Sequence, residues 1–168
     1  MYTFKKGYYA DVRIEDRFST NVRIKNDQLE EAKEKTEKKA FIRVFDGKMW
    51  YYTSTSDVDN VQKALDELYL YAEPCDDIDQ NPVVKRYQVN RDKKIVFEKN
   101  SVKKIALNAK IALCADTLKK FKSEICKYKS GQYLDRYSLY EFYSSKGANI
   151  VYDFQTCGVA YGLAFSYG

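Results

Sequence analysis

At the start of the chain, apolar and polar residues alternate one for one. Ala10, Val12 and Ile14 are separated by Asp11 and Arg13, and Val22 and Ile24 by Arg23. A period of two places successive side chains on opposite faces of a pleated strand, so each run predicts a strand with one face toward a core. Asn26-Asp27 predicts a turn, and the "QLEEAKEK" that follows carries the charge of an edge strand, with a short helix as the other reading. "KKAFIRVFD" and "KMWYYTST" flank Asp46-Gly47 and predict two strands paired across a loop of two or three residues. The period then changes. Val58, Val61, Ala64, Leu65 and Leu68 recur at three- and four-residue steps, which predicts a helix from Ser56 or Asp57 to about Ala72, capped by Asp57 and laid across the apolar face of the meander.

Residues 73–82 hold both prolines and four acidic side chains, and predict an acidic linker between a region 1–72 and a region 83–168. Short extended segments are expected over 83–89 and 94–97. Ser101 then opens a helix whose apolar stripe is Val102, Ile105, Ala106, Ala109, Ala112 and Leu113, with Lys103, Lys104 and Lys110 turned to water. Four strands are expected over 121–129, 134–143, 148–154 and 159–167, the middle two joined by a hairpin in which Gly147 takes a positive φ. In the last, Val159, Tyr161, Leu163, Phe165 and Tyr167 alternate with small residues, the pattern of a central or interfacial strand. The chain reaches Gly168 inside that strand, which reads as a piece of a longer polypeptide. The fold class is α+β, with antiparallel, meander-rich sheets covered by two helices.

Composition narrows the chemistry. Histidine is absent, which removes imidazole bases, Ser-His and Cys-His nucleophile pairs and histidine-bearing metal helices. Cys75, Cys114, Cys126 and Cys157 stand 39, 12 and 31 residues apart, so there is no CxxC knuckle; they read as reduced thiols, with Cys114 and Cys126 packed as small apolar groups. No apolar run approaches the roughly 20 residues of a membrane span. Glycine and proline together number 9 of 168, so long regular elements are expected, and 16 tyrosines suit wide sheet faces with one wet side.

Several clusters invite a functional reading, and each has a plainer one. Asp76, Asp77 and Asp79 lack the frame of a calcium loop and read as solvated. The pairs and groups Lys38-Lys39, Lys103-Lys104, Lys119-Lys120-Lys122 and Lys127-Lys129 are interrupted by acids, and a net charge of +5 is ordinary, so a mixed-sign surface outweighs a nucleic-acid site. Arg13, Arg23 and Arg43 fall on polar sheet faces, where they could hold a carboxylate or a peptide; cross-strand pairing with Asp11, Glu15 or another acid explains them better. Ser144-Ser145-Lys146-Gly147 is too exposed a hairpin to keep a deprotonated lysine for a Ser-Lys dyad. No residue is assigned a catalytic, cofactor-binding or metal-binding role.

Taken in order, Tyr9-Ala10-Asp11-Val12-Arg13, Asn26 with Leu29-Glu30, Ile42-Arg43-Val44 before Asp46-Gly47, and Tyr51 to Ser54 leading into a helix resemble the amino-terminal domain of the TldD/PmbA family, also called the modulator of DNA gyrase family. "FYSSKGANIVYDF" is similar to that family's Asn-Ser-x-Gly hairpin, with Ser144 in the usual place of asparagine. The resemblance implies a cytoplasmic metallopeptidase-type parent about three times this length, assembled as a homo- or heterodimer. It also implies a divalent metal, zinc, held by an HExxxH motif downstream. Without histidine, no ligand of that motif transfers to this stretch. The expected role is a non-catalytic amino-terminal domain that scaffolds a proteolytic chamber for unfolded peptides, with a missing carboxy-terminal domain as partner and no membrane contact. The alternative is a nucleic-acid- or gyrase-associated binding module.

Overall fold

The computed structural model describes residues 2–166; Met1, Tyr167 and Gly168 lie outside them, and with them the expectation for Tyr167. The elements are β1 (Tyr9–Lys25), β2 (Gln28–Phe45), β3 (Trp50–Thr55), α1 (Val61–Leu68), α2 (Pro82–Lys85), β4 (Arg91–Lys94), α3 (Leu107–Leu118), β5 (Cys126–Ser144) and β6 (Asn149–Phe165). Single 3-10 turns stand at Val58–Asn60, Ile78–Gln80 and Val102–Lys104. The fold is α+β.

The strands are longer than the runs that announce them. The first two runs are one strand: the even positions of β1 stay buried from Ala10 to Ile24, with only Asp16 half-buried. "QLEEAKEK" is likewise the first part of β2 rather than a helix, and the four late segments merge into β5 and β6. Nothing inside these strands forces a break. Among the described residues, left-handed backbone is confined to Gly7, Asn26, Asp27, Gly47 and Gly147, all outside them. Asn26 and Asp27 both have positive φ, 46° and 63°, as a tight two-residue hairpin requires. The second hairpin is wider than expected. Its register ends at Phe45 opposite Trp50, leaving a four-residue loop. There Asp46 Oδ1 accepts from the backbone N–H of Lys48 and Met49 (2.8 and 2.7 Å), and Gly47 takes φ 98°.

Instead of separate sheets, the described residues form one six-stranded sheet in the order β3-β2-β1-β5-β6-β4. β2 and β3 are antiparallel. Asn26 N–H bonds Lys129 O and Ser145 N–H bonds Ala10 O, so β5 runs against β1. β4 pairs with β6 in parallel, from Arg91 opposite Asn149 to Lys94 opposite Tyr152. The extended segments expected at 83–89 and 94–97 are instead a helical turn and a strand that begins earlier.

The four long strands thread two compact units. Unit 1 holds the chain up to Asp16, Glu37–Val96 and Leu139–Asp153; unit 2 holds Arg17–Thr36, Phe97–Ser138 and the chain from Phe154 on. In unit 1 the sheet is covered on both faces. Ala10, Val12, Ile14, Ala40, Ile42 and Val44 pack under Val61, Leu65 and Leu68 of α1, as the spacing predicts. On the opposite face, Tyr9 and Phe45 meet Ile78 and Val84, so the acidic segment is anchored by its apolar members. Each such side chain contributes about 1.5–3 kcal/mol by leaving water. Asp57 does not cap α1; its carboxylate accepts instead from the Asn60 side-chain amide at 2.8 Å, and the helix ends at Leu68 rather than near Ala72.

In unit 2, Val22, Ile24 and Tyr133 pack under Cys114 and Leu118 of α3, flanked by Leu107, Ile111 and Ala115. The stripe differs from the expected one. Ser101 Oγ accepts from Lys103 N–H at a 3-10 turn, Ile105 and Ala106 are extended, and only then does α3 begin. The interruption shifts the helical phase, so Ile105, Ala106, Ala109, Ala112 and Leu113 are exposed and Lys110 is buried. Gly131 lets the helix lie close: a Cβ there would stand 2.8 Å from Cys114 Sγ and 2.9 Å from Leu118 Cδ1.

Candidate functional site

Within unit 1, alternation puts Tyr9, Asp11 and Arg13 on one face of β1, beside Arg43 and Phe45 of β2. Asp11 is fully buried and receives both nitrogens of a guanidinium fork, Arg43 Nε at 3.1 Å and Nη2 at 2.5 Å, with Arg13 Nε at 3.5 Å. The Arg43 guanidinium stands over Trp50, 4.6 Å from the ring centre, and Arg13 over Phe142. Burial works against the Arg43 charge, but the bond to Asp11 outweighs it and holds its pKa up. Burial and the Asp11 charge keep the Tyr9 hydroxyl protonated. Arg43 thus pairs with Asp11 across strands, as expected, while Arg13 reaches the same carboxylate along its own strand.

The serine hairpin of unit 1 borders a cavity of about 400 Å³ lined by Tyr2, Phe4, Arg91, Tyr143 and the 144–149 turn. Its lysine is half-buried and tied down rather than free at a hairpin tip. Lys146 Nζ donates to the carbonyls of Val84 and Tyr87 at 2.8 and 2.7 Å. Ser144 Oγ accepts from Ala148 N–H and Ser145 Oγ from Ala10 N–H, while Gly147 has φ 93° as expected. The group closes a turn and joins it to α2. It has no free amine to serve as a base.

Asp76 and Asp77 precede the turn at Ile78–Gln80 and Asp79 lies within it, and among the described residues no three Cys, Asp or Glu side chains converge as a metal would need. Many of the lysines are answered locally: Lys39 by Glu37, Lys104 by the Glu98 carbonyl, Lys119 by Asp116, Lys127 by the Glu124 carbonyl and Lys129 by Asp27. The four thiols are unpaired; Cys114 is buried, whereas Cys126 is half-buried with its sulfur 3.4 Å from the Tyr128 carbonyl.

Unit 2 holds a cluster that the sequence reading missed. Lys110, expected in water, is 1% exposed. Its ammonium meets Asp135 Oδ2 at 2.7 Å, Thr20 Oγ1 at 2.7 Å and Glu34 at 3.6 Å, above the ring of Phe18. Tyr133 donates to the same Asp135 oxygen at 2.8 Å, and burial together with that bond pushes its hydroxyl pKa up. Asp135 Oδ1 has no partner among the described residues. A signal existed: Lys110, Cys114 and Leu118 lie four residues apart, on one helical stripe. This is a closed pair under a helix, which orders the unit rather than reacting.

The other sheet face of unit 2 is open. A shallow channel of about 450 Å³ crosses it, floored by Ser130, Ala160 and Gly162 and edged by Arg23, Lys25 and Glu30. Arg23 is exposed and has no carboxylate partner among the described residues, unlike Arg13 and Arg43. β4 pairs with β6 only as far as Tyr152, so beyond that point β6 is an edge strand among the described residues. No helix among the described residues is long and apolar enough to cross a membrane.

An HExxxH-type zinc centre needs imidazole donors, and the chain contains none; these residues do not fit that metal. Residues 10–72 match the model of the PmbA/TldA metallopeptidase domain 1, which takes in β1, β2, β3 and α1. No curated protein sequence matches. The fold is similar to that of TldE from Thermococcus kodakarensis, with TM-score 0.69 and 11% identity over 95% of this chain and 37% of that one. It is also similar to two proteins named as modulators of DNA gyrase. One, from Thermotoga maritima, has TM-score 0.67 and 14% identity over 95% of this chain and 40% of that one. The other, from Bacteroides thetaiotaomicron, has TM-score 0.58 and 13% identity over 92% of this chain and 36% of that one. The chain therefore spans less than half the length of these structures, and at such identities the likeness is one of fold. Over residues 10–72, the chain thus matches the first domain of the TldD/PmbA family.

Proposed function

We propose that this chain is the non-catalytic amino-terminal domain of a TldD/PmbA-type metallopeptidase, forming part of the wall of a proteolytic chamber and presenting unfolded peptides to it. The match of residues 10–72 to the first domain of a metallopeptidase family carries the reading. The chemistry of the chain agrees with that division of labour. Its buried charges are tied into pairs, its serines close a turn, and its composition lacks imidazole. In this reading the zinc, the HExxxH helix and the dimer belong to a longer cytoplasmic parent, and no hydrolytic step runs through the residues described above.

The test is incubation of the purified chain with a panel of unfolded peptides, following binding by calorimetry and cleavage by chromatography, with and without added zinc. Binding without turnover is expected in both conditions. Hydrolysis at enzymatic rates by this chain alone would assign the chemistry to it and overturn the proposal, as would failure to bind any unfolded peptide.

A further inference from the structure

We infer that the open sheet face of unit 2 docks an extended acidic polypeptide segment, with Arg23 as the anchor for one of its carboxylates. The inference rests on the peptide-presenting role proposed above and names the class of peptide. Charge is the first support. The stretches of unit 1 contain 14 Lys and Arg against 16 Asp and Glu, those of unit 2 contain 15 against 8, so the units carry −2 and +7 of the total +5. An acidic segment is thus drawn to one unit and not to the other.

Geometry is the second support. The channel floor is made of small residues on neighbouring strands, Ser130, Ala160 and Gly162, so an incoming backbone can approach the sheet closely. Arg23 edges this channel with its guanidinium uncommitted, and a guanidinium fork matches a carboxylate in two parallel hydrogen bonds. Gln132, whose amide donates to Asn21 Oδ1 at 3.1 Å, leaves its carbonyl oxygen for a peptide N–H. A nucleic acid fits less well. Glu30 stands on the rim, and the Tyr128 ring is already covered by the Lys25 ammonium at 5.6 Å, which leaves it less open to a stacking base.

The experiment is fluorescence anisotropy with three labelled twelve-residue probes, an acidic, a neutral and a basic unfolded peptide, and with a single-stranded oligonucleotide of equal length. The acidic peptide should bind most tightly and weaken steeply with salt. Arg23→Gln should weaken it about tenfold, and Ala160→Leu, which raises the floor from an exposed position, by a similar factor. Lys93→Gln, the same charge change on an exposed lysine of unit 1, should leave it within twofold. Gly162→Val is a second floor variant, read only if its circular dichroism matches the parent. Equal affinity for the three peptides, equal effects of Arg23→Gln and Lys93→Gln, or tighter binding of the oligonucleotide would overturn the inference. If the neutral peptide binds and the channel variants have no effect, the peptide-presenting role stands without this site; if no peptide binds, that role itself fails.

Discussion

Asp11 in unit 1 and Asp135 in unit 2 are both buried carboxylates on long strands, and they are neutralised from opposite directions. Two guanidinium groups on the sheet itself reach Asp11, with Arg43 keeping 22% of its side chain in water and Arg13 51%. Asp135 is met by one ammonium lowered from α3, and both members of that pair are sealed. The rest of each unit follows the same division. Unit 1 covers both faces of its sheet, while unit 2 has one helix-covered face and one open face lined by an uncommitted arginine. A two-residue period states that one face is buried; what decides the other is whether a later segment returns to lie on it.

The sharpest way to break this comparison is to remove one member of each pair. Lys110→Ala leaves a sealed carboxylate without its cation and should cost about 3–5 kcal/mol in urea unfolding. The double change Lys110→Met with Asp135→Leu should recover most of that. Arg43→Ala should cost less, about 1–3 kcal/mol, because Arg13 remains to pair with Asp11 and both arginines are partly in water. Equal losses would mean that the two carboxylates are buried to the same energetic degree.

A smaller effect separates the two sides of unit 2. Gly131→Ala pushes a methyl into Cys114 and Leu118 and should cost about 1–3 kcal/mol, whereas Gly158→Ala, with nothing within 4 Å of its Cβ, should shift the unfolding midpoint by less than about 0.5 kcal/mol. Similar losses at both positions would show that the far end of β6 is covered after all.

Two pH effects sharpen the picture further. Burial raises the pKa of Asp46, but the Met49 and Lys48 amides and the Tyr51 hydroxyl outweigh it, so the carboxyl titrates below its ordinary value. Asp46→Asn should therefore lose about 1 kcal/mol at neutral pH. That gap, full above the ordinary carboxyl value of about 3.9, should close as pH falls through the depressed one. The smallest effect is alkaline. Tyr143 is pushed up to about 12 by its hydrogen bond to Glu141, by burial and by the Glu141 charge. Its contribution is whole below the ordinary value of about 10 and is lost as pH rises through about 12, so Tyr143→Phe should flatten that limb of the stability profile.

The hairpins and α1 were legible because each is written locally: Asn26-Asp27 and Asp46-Gly47 turn the chain, and Val61, Leu65 and Leu68 share a face. The strand lengths were not, because a charged run such as 28–39 reads as a separate edge strand or short helix when it is the solvent-facing first part of the strand that ends at Phe45. α3 was misphased for a related reason. The 3-10 turn at Val102–Lys104 and the extended Ile105 and Ala106 reset the helical count, and a lysine reads as a surface residue until its aspartate, 25 positions on, is placed beside it. The arginines divide in the same way. Alternation set Arg13, Arg23 and Arg43 on polar faces, but only the pairing of strands shows that two share one acid and the third has none.

The chain passes between its two units five times, and four of those passages fall within β1, β2, β5 and β6. No set of cuts in the gene can therefore release either unit as an intact cassette, since four of the five would fall inside a hydrogen-bonded strand. Exchange of one half between relatives must proceed by point substitution on a shared set of strands, and a graft that transplants a whole unit should yield an aggregate rather than a chimera.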